Sequence, residues 1–432
     1  MASPVRAWLS RSSPTAFTLY ATVAAFCAYM CMYAFRKPFT AATFESGPHI
    51  WGLDYKSALV IIQVLGYMLS KFIGIKVVSE MNSNKRAGAI LILIGIAELA
   101  LLGFGSVSPP YNAIFLFFNG LPLGMIWGIV FSFLEGRKQT EVMGLGLCAS
   151  FVFASGLVKD IGKYLMGIGI SEYWMPFAVG GIFALPLLIF TWMLVQLPPP
   201  SPDDEEERTR RAPMNGRERW AYFQKLALGI VLLVAVYTIL TAYRDFRDNF
   251  LADIWADLRG VNNTVNFSAT ETPVSIGVLL ILMLIVLVKD NMKALMVNHL
   301  AVGVGVLLAG LSTWGHQQGW VGDYTWIILT GFGTYIAYIP FNSILFDRLI
   351  ATFKHVGNVG FLIYVADSFG YMGSVGILLY KNFGAGDISW VNFFRQISYA
   401  LAALGAIGII CSAIYFFWKK KSKPISLQVK AT

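Results

Sequence analysis

F-R-K-P-F at positions 35–39 returns as F-R-D-N-F at positions 246–250, and a tyrosine precedes each copy, Tyr33 and Tyr243. Working outward from the first copy, apolar runs lie near 15–44, 55–79, 86–107, 111–134, 142–168 and 173–196. Working outward from the second, they lie near 221–250, 271–289, 292–314, 323–347, 355–381 and 390–418. Each run is long enough to cross a bilayer as a helix. The stretch between the two sets, 197–219, holds P-P-P-S-P and then D-D-E-E-E-R-T-R-R from Asp203 to Arg211, without hydrophobic periodicity. It reads as a flexible, solvated linker. The two halves therefore place an arginine at corresponding points, Arg36 and Arg247.

Composition agrees with lipid as the main solvent. The 432 residues are 56% hydrophobic and 13% charged, with a mean hydropathy of +0.63, where a soluble protein carries about 25% charged residues. The net charge of +9 is spread over alternate loops, which argues against nucleic-acid binding. Arg6, Arg11, Lys85, Arg86, Arg137, Lys138, Lys289, Lys293, Lys354 and Lys419 to Lys421 fall on one side, and Lys56, Arg259 and Lys381 on the other. The positive-inside rule then puts both termini and the linker in the cytoplasm. The expected organisation is a tail at 1–14, a six-helix bundle at 15–196, the linker, a second bundle at 220–418 and a basic tail at 419–432. The first run meets Arg36 and Lys37 rather than a small-residue cleavage site, so it reads as an uncleaved helix. The four cysteines, Cys27, Cys31, Cys148 and Cys411, lie in apolar runs and read as buried small hydrophobes. No C-x-x-C pair or histidine cluster is present, and no metal or cofactor is expected. Paired glycines such as Gly303 and Gly305, or Gly370 and Gly373, suit a tightly packed bundle.

Six spans, a linker and six spans, with an internal repeat about an axis along the membrane normal, is the layout of the major facilitator superfamily. The expected fold is all-α, with twelve transmembrane helices in two pseudo-symmetric six-helix bundles.

Charges inside apolar runs are costly, so each is a candidate functional residue. Lys76, Lys163, Asp347 and Arg348 lie near helix ends, where they can snorkel. Arg36 and Arg247 are expected to face one another across the bundle axis. Arginine cannot shed its proton, and two facing guanidiniums repel unless an anion lies between them. Lys71 and Lys37 are candidate helpers, and Tyr33 and Tyr243 are expected to line the same cavity. Arg244 is expected to pair with Asp245. Asp367 is a candidate proton carrier or a partner of Lys159, and Asp160 and Asp248 are further coupling or ion-pair candidates. Glu271, at the start of the eighth run, reads as a residue favoured by the helix dipole.

Three stretches resemble the organophosphate:phosphate antiporters of the major facilitator superfamily, the group with the glycerol-3-phosphate and hexose-phosphate transporters. They are Y-A-F-R-K-P-F (33–39), Y-M-L-S-K-F-I-G-I-K-V-V-S-E-M-N-S-N-K-R (67–86) and F-G-Y-M-G-S-V (369–375). The resemblance implies Arg36 and Arg247 as a phosphate clamp, Lys71 as a basic residue of the second helix, and exchange of an organic phosphate for inorganic phosphate. The chain departs from that pattern at three places: Phe151 to Ala154 stand where the family has a histidine, Glu80 and Met81 replace its Asp-Arg, and Pro38 follows the Arg-Lys pair.

The leading expectation is a secondary transporter for a small anionic solute, monomeric and resident in the cytoplasmic membrane. Alternatives are a proton-coupled symporter for a sugar, peptide, carboxylate or cell-wall fragment that uses Asp367, and a membrane sensor without flux. No catalytic motif points to an enzyme. Sequons at 262–264 and 266–268 lie on the non-cytoplasmic side.

Overall fold

The structure, a computed structural model, describes residues 3–79, 81–201, 204, 216–260, 266–353 and 359–422. Lipid offers the backbone no hydrogen bonds, so apolar segments that cross it close their own as helices. The spans are, in order, Pro14–Ala34, Tyr55–Ser79, Arg86–Ser106, Ala113–Leu123 with Ile126–Leu134, Thr140–Gly167 and Met175–Val195 in the first half. In the second they are Gly216–Asn249, Phe267–Val286, Asn291–Gln317, Asp323–Ser343 with Leu345–Thr352, Val359–Leu379 and Trp390–Ser422. They are named first to twelfth below. The tenth is two helices bent by 48°, just past Pro340, which cannot donate to the helical ladder. Among the described residues the only β pairing is an isolated bridge between Ile50 and Leu53.

The packing carries the duplication. In the first half the first span packs on the fifth and sixth, the fourth on the second and third, and the third on the sixth. The second half repeats every one of these pairs: seventh on eleventh and twelfth, tenth on eighth and ninth, ninth on twelfth. The halves meet along two seams, fifth against eighth and second against eleventh, which the same symmetry exchanges. Outward faces of the third, sixth, ninth and twelfth spans expose large apolar side chains such as Leu99, Leu185, Leu311 and Ile407, as a lipid-facing surface requires. Where the second and fourth spans cross, a Cβ on Gly66 would lie 2.3 Å from the Phe117 carbonyl oxygen, and one on Gly120 2.2 Å from that of Gln63. That crossing needs both glycines.

Several expectations are corrected. The first helix ends at Ala34, not near 44, because Pro38 has no N–H to donate back to the Ala34 carbonyl; a 3-10 turn, Pro38–Ala41, follows. A helical stretch from Gly216, inside the expected linker, meets the seventh span across a non-helical break at Leu226, and the twelfth runs to Ser422, inside the expected tail. Cys411 is exposed on the outer face and Cys27 is half-buried. The sequon at 262–264, Lys354 and Glu80 lie outside the described residues, and Asn266 of the second sequon caps the eighth helix by accepting from the Ala269 amide at 3.0 Å.

Candidate functional site

At the end of the first helix, the carbonyls of Phe35 and Arg36 lose their helical partners. Two buried amides take them over. Asn119 donates to the Phe35 carbonyl at 2.9 Å and Gln63 to the Arg36 carbonyl at 3.0 Å, while Gln63 also donates to the Asn119 side chain at 2.8 Å. The break is thus built into the bundle, since buried carbonyls are rarely left unpaired. It turns Arg36 into a chamber between the halves, lined also by Tyr29, Tyr33, Tyr67, Lys71, Arg244 and Asp367.

Arg36 is 3% exposed. Its guanidinium lies 3.7 Å from the centre of the Tyr67 ring and 5.9 Å from that of Tyr371, and its Nε has no hydrogen-bond partner. Among the described residues no carboxylate is within ion-pair distance of it. The aromatic faces offset part of the cost of burying the charge, but they accept no hydrogen bond from its Nε.

Opposite lies Arg244, over the Tyr338 ring at 4.3 Å and paired with its neighbour Asp245 at 2.5 Å. Asp245 also accepts from Ser374 at 2.9 Å. Lys71, from the second span, pairs with Asp367, from the eleventh, at 2.8 Å. The Tyr237 hydroxyl donates to the other oxygen of Asp367 and sits 2.8 Å from the Tyr338 hydroxyl. The chamber is about 20 Å³, room for one water and for nothing larger.

Arg247 does not face Arg36, which corrects the paired-clamp expectation. It reaches into its own half, donating to both oxygens of Glu271 at 2.8 and 3.2 Å and to the Ile327 carbonyl at 3.0 Å. Gly331 makes the room, since a Cβ there would be 2.5 Å from the guanidinium. Glu271 is therefore an ion-pair partner rather than a dipole-favoured end residue. Tyr243 also lies outside the chamber; its hydroxyl meets Ser398 at 2.8 Å and its ring stacks on Phe394 at 5.2 Å.

Away from the chamber, Lys37 pairs with Asp248 at 2.5 Å and with the Asn249 side chain at 2.7 Å. These are neighbours of the repeated arginines, one from each half, so the repeat folds back on itself as a cross-half ion pair. Lys159 reaches the same Asp248 at 2.7 Å; the partner of Asp367 is Lys71, not Lys159. Asp160 is no part of the chamber. It accepts from the backbone amides of Phe267 and Ser268 at 2.7 and 2.8 Å, holding the start of the eighth helix across the fifth–eighth seam. Lys56 and Asp253 tie the second span to the short helix Leu251–Arg259 at 2.5 Å. Burial pushes Asp253 up to about 6, against the pull of Lys56. On the opposite face Arg348 pairs with Glu141 at 2.9 Å.

In and beside the chamber the buried basic groups are Arg36, Lys71 and Arg244, and the buried carboxylates are Asp245 and Asp367, so among the described residues the cations exceed the carboxylates by one, Arg36. Gln63, Asn119, Tyr67 and Tyr371 were not singled out by the sequence reading, although an amide inside an apolar run was a signal available to it.

A family described as "Family of unknown function (DUF5690)" matches residues 38–420. The chain belongs to it. No curated protein matches this chain. Among solved structures, the DUF5690 chain is similar to a POT family transporter in complex with a thioalcohol-conjugated peptide, with TM-score 0.59, 13% identity, and coverage of 92% of this chain and 96% of that one. It is also similar to a bacterial homologue of the human drug peptide transporters PepT1 and PepT2, with TM-score 0.60, 12% identity, and coverage of 95% and 100%. A D-xylose–proton symporter gives TM-score 0.55 and 14% identity over 95% and 100%. At these identities the likeness is one of fold, and the fold is that of major facilitator transporters.

Proposed function

We propose that this protein is a secondary active transporter that carries a small solute with an anionic group together with a proton. The observation that carries the reading is Arg36: a buried guanidinium with no carboxylate at ion-pair distance among the described residues, in a chamber lined by both halves. Arg36 and Arg244 would seat the anionic group, because planar forks match carboxylate and phosphate bidentately. Lys71 and Asp367 would supply the coupling. Their pair bridges the second–eleventh seam, so protonation of Asp367 removes the carboxylate that holds Lys71 across it and lets that seam part. A D-xylose–proton symporter among the structures of like fold supports this over simple anion exchange.

The likeness of residues 33–39 and 67–86 to the organophosphate:phosphate antiporters favours a second reading, in which the solute is an organic phosphate and inorganic phosphate returns in exchange. Uptake into proteoliposomes separates the readings. Symport is expected to accumulate solute under an inward proton gradient and to lose that response in Asp367→Asn. Uptake that needs phosphate inside and ignores the gradient would favour exchange, and saturable binding without flux would assign a sensor.

A further inference from the structure

Far from the chamber, the first half carries a second basic cavity. It lies at the membrane end where the linker begins, has a volume of about 700 Å³, and is walled by Arg6, Arg86, Arg137, Ser132, Glu135 and the prolines 198–200. Glu135 is the one carboxylate on the described wall. Each arginine is held by spending donors on backbone. Arg86 donates to the Ser132 carbonyl at 2.9 Å, Arg6 to those of Val195 and Leu197 at 3.5 and 3.3 Å, and Arg137 to that of Pro198. These carbonyls lie at the ends of the fourth and sixth spans, where orphaned acceptors collect. The forks are therefore fixed, with further donors left over: the Nε atoms of Arg86 and Arg137 have no partner. Arg137 is 6% exposed, and burial lowers its pKa from the ordinary arginine range. Three anchored guanidiniums with one carboxylate form a seat for a phosphate.

Two observations say where that phosphate comes from. An adjoining cavity of about 520 Å³ shares Arg137, Pro198 and Pro199 and is lined by Leu9, Phe17 and Met143 and also by Thr18, Lys138, Gln139 and Asp204. A ligand filling both has an anionic head and a body that is apolar in part. The short helix Pro4–Leu9, which supplies Arg6 to one cavity and Leu9 to the other, exposes Trp8 by 53%, and Trp192, near the end of the sixth span, is exposed by 51%. Exposed tryptophans at a span end mark the headgroup level of a bilayer. We infer that this cavity binds the phosphate headgroup of an anionic phospholipid, clamped by Arg6, Arg86 and Arg137. Such a lipid would staple the N-terminal helix, the 2–3 and 4–5 loops and the start of the linker to one another.

Thermal unfolding of the purified full chain in detergent tests this with three probes: dihexanoyl-phosphatidylglycerol, dihexanoyl-phosphatidylcholine and glycerol phosphate. The phosphatidylglycerol is expected to raise Tm at concentrations about tenfold lower than the phosphatidylcholine, the worth of one charge-assisted hydrogen bond. Arg86→Gln with Arg137→Gln is expected to abolish that preference. Should the double variant fail to fold, Arg6→Gln, on an exposed side chain, is expected to shift the phosphatidylglycerol midpoint upward alone. Equal response to both lipids, or a preference untouched by Arg6→Gln, would overturn the inference. A glycerol phosphate response matching the lipid would overturn the lipid assignment in favour of a soluble phosphate ester.

Discussion

Two copies of one motif, F-R-K-P-F at 35–39 and F-R-D-N-F at 246–250, end up doing different things. In the first, Pro38 stops the helix at Ala34, and the freed carbonyls are taken up by Asn119 and Gln63. In the second, Asn249 stands where the proline was, and the helix runs on as far as it. Arg36 consequently leaves the helical path and enters the chamber, while Arg247 stays on the helix and faces Glu271 inside its own half. The lesson is that repeat-related residues share an ancestry of position but not a role. One backbone-breaking residue separates the copy that enters the chamber from the copy that stays inside its own half.

The largest expected effect breaks that comparison directly. Arg36→Ala removes the free guanidinium, and solute uptake should fall by roughly a hundredfold, the factor carried by about 2.7 kcal/mol of charge-assisted binding. Its Tm should hardly move, because no ion pair is lost. Loss of uptake together with loss of fold would instead make Arg36 structural.

Arg247→Ala should do the reverse. It strands Glu271 without its partner in an apolar seam, a change that costs about 3–5 kcal/mol. Replacing both members, Arg247→Leu with Glu271→Leu, removes both charges at once and should restore Tm and uptake. If the double variant folds but does not transport, Arg247 belongs to the solute site after all.

A smaller effect sharpens the role of the break itself. Asn119→Ala leaves the Phe35 carbonyl unpaired, for about 1–3 kcal/mol, and lets the Arg36 backbone shift. Uptake at low solute concentration should drop more than uptake at saturation, since seating is disturbed before transport is. An equal drop at both concentrations would speak against a positioning role.

How much of this was legible beforehand follows from the same residues. The twelve spans and their duplication were readable because lipid demands long apolar runs, and twenty consecutive residues average out local ambiguity. The set of charged candidates was readable too, because charge in an apolar run is conspicuous. Their partners were not. Arg244 and Arg247 are three residues apart, about 60° around a helix, and only the packing of the seventh span against the tenth and eleventh decides which one looks into the chamber. Glu271 looked like a helix-end residue because its partner lies 24 positions away. Tyr67 and Tyr371, at 4.8 Å from each other across the second–eleventh seam, were hidden among many aromatics that face lipid or core.

The smallest predicted effect concerns the seam on the face of the molecule that carries the short helix Leu251–Arg259. Asp253 is paired with Lys56 and lines a cavity of about 350 Å³ together with His49, Asp54, Asp257 and Lys381. Its closed-state value of about 6 lies above the 3.8 of an exposed aspartate. The sign follows from proton linkage: the closed state binds the proton more tightly, so acid favours closure, and that advantage disappears as pH rises from about 4 through about 6. Opening on this face, read as the rate at which a thiol reagent reaches a cysteine placed at Thr43, should therefore increase over that interval. Asp253→Asn should flatten the rise without changing Arg36-dependent uptake. A rise that survives Asp253→Asn would remove Asp253 as its source.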